Sequence, residues 1–208
     1  MNTKQDYLLI VEDDPDILRL LDTTLTFSGY RVVTAHNGRE GLEAIQSERP
    51  AIVITDIMMP KLDGFGFVHR LRINPETRDL PVVFITATYV APEDKDFALN
   101  IGATRFIQKP VDLHEFLKTI AELLKQGHAA IEPLNEFNFY DGYRRRLEAK
   151  LDQKIKQIAR EESLLEPPLK EEHEIIRVSL RQAVSEREEL KLLLAQVHEQ
   201  LEKSVHPG

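Results

Sequence analysis

Five short apolar runs, each followed by a stretch with helical spacing, fill the first 126 residues, and this alternation limits the fold more than any other feature. The runs lie at 7–11 (YLLIV), 30–35 (YRVVTA), 51–55 (AIVIT), 81–86 (PVVFIT) and 104–107 (TRFI). Three of them are apolar on consecutive residues, which suits strands covered on both faces, as in a parallel sheet. Helical spacing predicts helices at 16–28, 38–48, 64–72, 92–100 and 112–125. Asp14-Pro15 and Pro110-Val111-Asp112 mark helix starts, and Gly29 and Gly102 fall just past helix ends. Strands alternating with helices imply an α/β fold with a doubly wound, five-stranded parallel sheet over residues 1–127.

Beyond residue 127 the strand signals stop. Residues 128–143 read as a connector containing Pro133 and the aromatic cluster Phe137, Phe139, Tyr140 and Tyr143. Residues 144–208 then read as an all-α region of two long helices, broken at Pro167-Pro168, where a helix cannot continue. In the second helix Leu180, Leu194 and Leu201 share one heptad position with His173 and Arg187. Ile176, Ala183, Leu190 and Val197 share the other with Ser204. In the first, Leu147, Leu151, Ile155, Ile158 and Leu165 form a similar stripe. A long helix with so narrow a stripe needs a partner helix. Self-association into a coiled coil, giving a homodimer, is the favoured expectation; a hairpin folded back within the chain is the alternative.

Composition narrows the function. The 208 residues carry a formal net charge of −8, spread over both halves, which argues against nucleic acid or an anionic membrane as the main partner. With no cysteine, a disulfide framework, Cys-ligated zinc and a thiol nucleophile are excluded. No apolar run is long enough to span a bilayer, and the N-terminal apolar run is too short for a signal peptide, so a soluble cytoplasmic protein is expected.

In an open parallel sheet, chemistry collects at the carboxyl ends of the strands. Here those ends carry Glu12-Asp13-Asp14, Asp56, Thr86-Ala87 and Lys109-Pro110. Clustered carboxylates repel unless they are protonated or bound to a cation, and oxygen-only ligands suit Mg²⁺. Lys109 and Thr86 are fitted to hold phosphate oxygens. Asp56, alone at a central strand end, is the candidate phosphoryl acceptor, and the neighbours Asp13 and Asp14 are the candidate metal ligands.

These residues carry a resemblance. Residues 5–126 resemble the receiver domain of two-component response regulators through LLIVEDDPDILRLL (8–21), IVITDIMMPKLDGFGF (52–67), VVFITAT (82–88) and TRFIQKPVD (104–112). The resemblance implies a flavodoxin-like sheet of order 2-1-3-4-5. It implies that Asp56 accepts phosphate from a histidine kinase or phosphotransfer protein. Mg²⁺ would be organised by Asp13, Asp14, Asp56 and the Met58 backbone carbonyl, with Glu12 in support. Thr86 and Phe106 would form the switch, Lys109 would complete the site, and Met58 and Tyr89 would tune the lifetime of the phosphorylated state. Gly64 is expected at a close approach or a positive φ.

A receiver of this kind is a signalling phosphoacceptor that assists its own phosphorylation and dephosphorylation, not a turnover enzyme. A magnesium-dependent phosphatase would need a second aspartate two residues beyond Asp56, where Met58 stands. A scaffold carrying a constitutive receiver, or the N-terminal part of a larger signalling protein, is the remaining alternative. In the tail, His173-Glu174 and Arg144-Arg145-Arg146 read as solvated helix faces.

Overall fold

Each of the five apolar runs forms a strand. In the computed structural model, which describes residues 7–86, 97–126, 135–165 and 173–205, these are β1 (Tyr7–Val11), β2 (Arg31–Ala35), β3 (Ile52–Asp56), β4 (Val82–Thr86) and β5 (Arg105–Gln108). All neighbouring pairs are parallel, in the order β2-β1-β3-β4-β5. The three central strands, β1, β3 and β4, are buried at every position, which is why their sequences run apolar without alternation. The edge strands β2 and β5 are part-exposed and carry Arg31, Arg105 and Gln108.

Helices cover both faces. They are α1 (Pro15–Phe27), α2 (Gly38–Ser47), α3 (Gly64–Ile73), α4 (described over residues 97–100) and α5 (Leu113–Gln126). Leu18, Leu21 and Leu25 of α1 and Phe116, Ile120 and Leu123 of α5 pack on Leu8, Ile10, Ile52, Ile54, Val83 and Ile85. Side chains alternate across a strand, so the intervening residues face the opposite layer. There Phe65 of α3 meets Phe84 and Phe97 edge-to-face, with centroids 5.6 and 5.0 Å apart. Burying a side chain such as Phe116 contributes about 1.5–3 kcal/mol. The rest of the predicted helix at 92–100, with Ala87 and Tyr89, lies outside the described residues.

Local signals fix the helix ends that matter. Asp14 caps α1, with Oδ1 accepting from the N–H groups of Asp16 and Ile17 at 2.9 and 3.2 Å. Asn37 caps α2, its Oδ1 accepting from the Arg39 and Glu40 N–H groups, and the Glu40 carboxylate accepts from the His36 N–H just before the cap at 2.9 Å. Asp63 caps α3.

The chain divides into two compact units, 1–134 and 135–208. The second consists of α6 (Glu136–Leu164) and α7 (His173–Val205) packed along each other within the chain. Lys154 bridges Glu186 at 2.6 Å, and Glu161 accepts from Ser179 at 2.9 Å. As the α6 number rises by seven the α7 number falls by seven, so the helices run antiparallel. This register sets Tyr143 level with Val197, Leu147 near Leu194 and Ile158 near Ala183, all six of them buried.

Two expectations change. The connector predicted over 128–143 is helical from Glu136, so α6 begins eight residues before Arg144, capped by Asn135. Phe139 and Tyr143 are not linker aromatics: spaced by four, they extend the buried stripe through Leu147. The heptad positions of α7 meet α6 of the same chain, the arrangement less favoured from sequence. Pro167-Pro168 lies outside the described residues.

Candidate functional site

The parallel sheet delivers its polar residues to one end. Asp56 is the last residue of β3, Glu12 follows β1 directly, and Thr86 ends β4. Glu12 and Asp56 are buried, and Asp13 is exposed beside them. One carboxylate oxygen from each of Glu12, Asp13 and Asp56 lies within 4.8 Å of the other two. Lys109, just beyond β5, enters the group: Nζ sits 2.9 and 3.1 Å from the two Glu12 oxygens and 3.4 Å from Asp56 Oδ1. Its backbone N–H donates to the Thr86 carbonyl at 2.6 Å, tying this lysine to the end of β4.

The electrostatics follow from burial. Loss of solvent raises the Glu12 carboxyl from 4.5 to about 7, against the lowering effect of its hydrogen bond to Lys109, with the Asp56 charge adding to the rise. Burial likewise raises Asp56, opposed by Lys109 and by the Ile57 and Met58 N–H groups. Burial disfavours the Lys109 charge, but its hydrogen bond to Glu12 and the charge of Asp56 outweigh that and hold it above its ordinary value. Three carboxylates against one ammonium leave an excess of negative charge. An all-oxygen set with spare negative charge fits Mg²⁺ and offers nothing to a metal that favours sulfur or imidazole.

Asp14, expected among the metal ligands, is not in the cluster. Its carboxylate caps α1, and the clustered carboxylates are those of Glu12, Asp13 and Asp56. The sequence carried both signals. Glu12 is the first residue past the strand, where a side chain meets the crevice, and Asp14 directly precedes Pro15, an arrangement typical of a cap. Thr86 is fully buried, and its hydroxyl has no hydrogen-bond partner among the described residues. Phe106 is half-buried on β5, in register with Phe84 of β4.

The loop from β3 to α3 completes the site. The Met58 N–H donates to Asp56 Oδ2 at 3.1 Å, while the Met58 side chain is exposed. Gly64 answers to close approach: a Cβ there would stand 2.1 Å from the Asp56 carbonyl oxygen.

Comparison with known proteins agrees with this geometry. Residues 8–121, more than half of the chain, match the response regulator receiver domain family. The chain is 37% identical over 127 residues to the "Probable transcriptional regulator ycf27" of Pyropia yezoensis, covering 61% of this chain and 51% of that protein. It is 36% identical over 141 residues to the "Uncharacterized transcriptional regulatory protein YkoG" of Bacillus subtilis (strain 168), covering 68% and 60%. The chain thus spans between about half and three fifths of the length of these curated relatives. The crystal structure of chemotaxis protein CheY4 from Vibrio cholerae superimposes with a TM-score of 0.54 at 33% identity, covering 57% of this chain and 98% of that one. With the match running from inside β1 into α5, the chain belongs to the response regulator receiver domain family.

Proposed function

We propose that this chain is a two-component response regulator whose Asp56 takes a phosphoryl group from the phosphohistidine of a histidine kinase or phosphotransfer protein. The convergence of Glu12, Asp13 and Asp56 on one ammonium at the strand ends supports the reading most directly. An Asp56 carboxylate oxygen bonds to phosphorus as the donor's P–N bond breaks, and the departing imidazole takes its proton from solvent. When bound by Asp13, Asp56 and the Met58 carbonyl, with Glu12 alongside, Mg²⁺ would neutralise charge on the transferred group. Lys109 places a fixed positive charge at the same point. The Thr86 hydroxyl, buried and unsatisfied, is available to donate to a phosphoryl oxygen. Its inward movement frees space beside β5 for Phe106, and shape carries the signal onward.

The group stays on the protein until water removes it, so the chain acts as a switch and not as a turnover enzyme. The helical unit joins two copies as a homodimer. Among the described residues no helix is long and apolar enough to cross a membrane. The formal net charge of −8 keeps nucleic acid outside the proposal for this chain, although the matched relatives are named transcriptional regulators.

Labelling with acetyl phosphate and Mg²⁺, followed by phosphate-affinity electrophoresis, tests the reading. The intact chain acquires one acid-stable, alkali-labile phosphoryl group, and Asp56→Asn acquires none. Equal labelling of the two would overturn the assignment.

A further inference from the structure

Lys61 has φ +64, the one positive φ of a non-glycine residue among those described. A left-handed lysine stores strain and persists only where its surroundings dictate it. Here they do. The Leu62 N–H donates back to the Pro60 carbonyl at 2.7 Å, a three-residue turn centred on Lys61. The Leu62 carbonyl then accepts from the Gly38 N–H at 3.0 Å, which straps the turn to the first residue of α2. Nothing larger than glycine fits at that point: a Cβ on Gly38 would lie 2.7 Å from the Leu62 oxygen. Lys61 Nζ also lies 3.6 Å from Glu40 Oε1, but both groups are exposed, and such a pair contributes little. The backbone holds the turn.

The strap sits beside the chemistry. Gly64 N–H closes on the Ile57 carbonyl at 2.9 Å, so residues 57–64 form a closed loop whose near flank is pinned to Asp56 through the Met58 N–H. Its far flank is pinned to α2 through Leu62 and Gly38. The Met58 carbonyl, in the proposed ion set, follows the near pin directly and lies between the two.

Building on the function proposed above, we infer that Lys61 and Gly38 are positioning residues: the strained turn strapped to the start of α2 sets where the Met58 carbonyl stands, and so sets affinity for the divalent ion. Mg²⁺ tolerates little departure from its preferred geometry, so slack in this loop costs affinity directly.

The discriminating variant is Lys61→Gly, which relieves the strain and frees the turn. Magnesium alone is titrated into the full chain by calorimetry, with urea unfolding and amide exchange at Leu62 and Gly64 followed in parallel. The half-saturating magnesium concentration rises about threefold or more, a modest share of the strain such a residue stores. The unfolding midpoint meanwhile stays level or rises, and the Leu62 and Gly64 amides exchange faster. Lys61→Asn, a residue that tolerates φ > 0 with less freedom than glycine, restores near-native affinity. Gly38→Ala, pressing on the Leu62 oxygen, weakens affinity in the same direction. Native magnesium affinity in Lys61→Gly, or Lys61→Asn as weak as Lys61→Gly, would overturn the inference. Native magnesium binding without labelling of Asp56 would instead overturn the functional reading and leave this one standing.

Discussion

A carboxylate at the mouth of a helix can cap that helix or serve a site, and neighbouring residues here divide the two tasks. Asp14 caps α1, while Asp13 joins Glu12 and Asp56. Asp14→Ala should therefore lower stability by about 1 kcal/mol, the usual cost of a lost cap, and leave the half-saturating magnesium concentration unchanged. Asp13→Ala should raise that concentration several-fold with little effect in a urea melt. Reading residue types alone favoured the Asp-Asp pair. What distinguished Glu12 was its place, first after a buried strand, which shows only once the strand end is fixed. His69 of α3 offers a separate handle, because burial, helped by the charge of Arg70, presses its pKa from 6.5 down to about 4. Its folded pKa lies below its unfolded one, so the unfolded chain binds the extra proton between those values. The stability contributed by His69 is complete above about pH 6.5 and falls as pH drops toward 4, by at most about 1.4 kcal/mol per pH unit. The difference in unfolding free energy between the wild type and His69→Gln should shrink over that window, and urea titrations at stepped pH would show it.

Among the elements, the sheet was legible because its three inner strands are buried on both faces and write that burial as unbroken apolar runs. The order of the strands did not come from those runs but from the resemblance. The start of α6 was harder to see. Phe137, Phe139, Tyr140, Asp141 and Gly142 have middling or poor helix propensity, yet Phe139, Tyr143 and Leu147 keep a spacing of four that tertiary burial rewards. Polar links at Lys154–Glu186 and Glu161–Ser179 stand one heptad apart and fix the register of the hairpin more than its stability. Its stability rests on the buried stripe. Leu147 is fully buried, so Leu147→Ala should cost about 2–5 kcal/mol and lower the melting of the helical signal in far-ultraviolet circular dichroism.

For the molecule as a whole, what sequence left open was where the long helices find their cover. A heptad stripe states that a partner exists and says nothing of which chain provides it. Within this chain α6 and α7 already cover one another, and Ile155, Leu164, Ile175, Val178 and Leu192 stay exposed on the helical unit. Association of two hairpins through such residues is the dimer proposed above. Sedimentation equilibrium should give about twice the 23.9 kDa of one chain, with and without beryllofluoride; a monomer under both conditions would remove the dimer from the proposal. The antiparallel register carries one more consequence. After running roughly 44 Å out along its 29 residues, α6 is followed back by α7, so the chain returns to the end where it set out. Asn138 and Glu202 stand level there, and because the sequence contains no cysteine, a pair of thiols introduced at these two positions would be the molecule's only ones and would report that homecoming by a single crosslink.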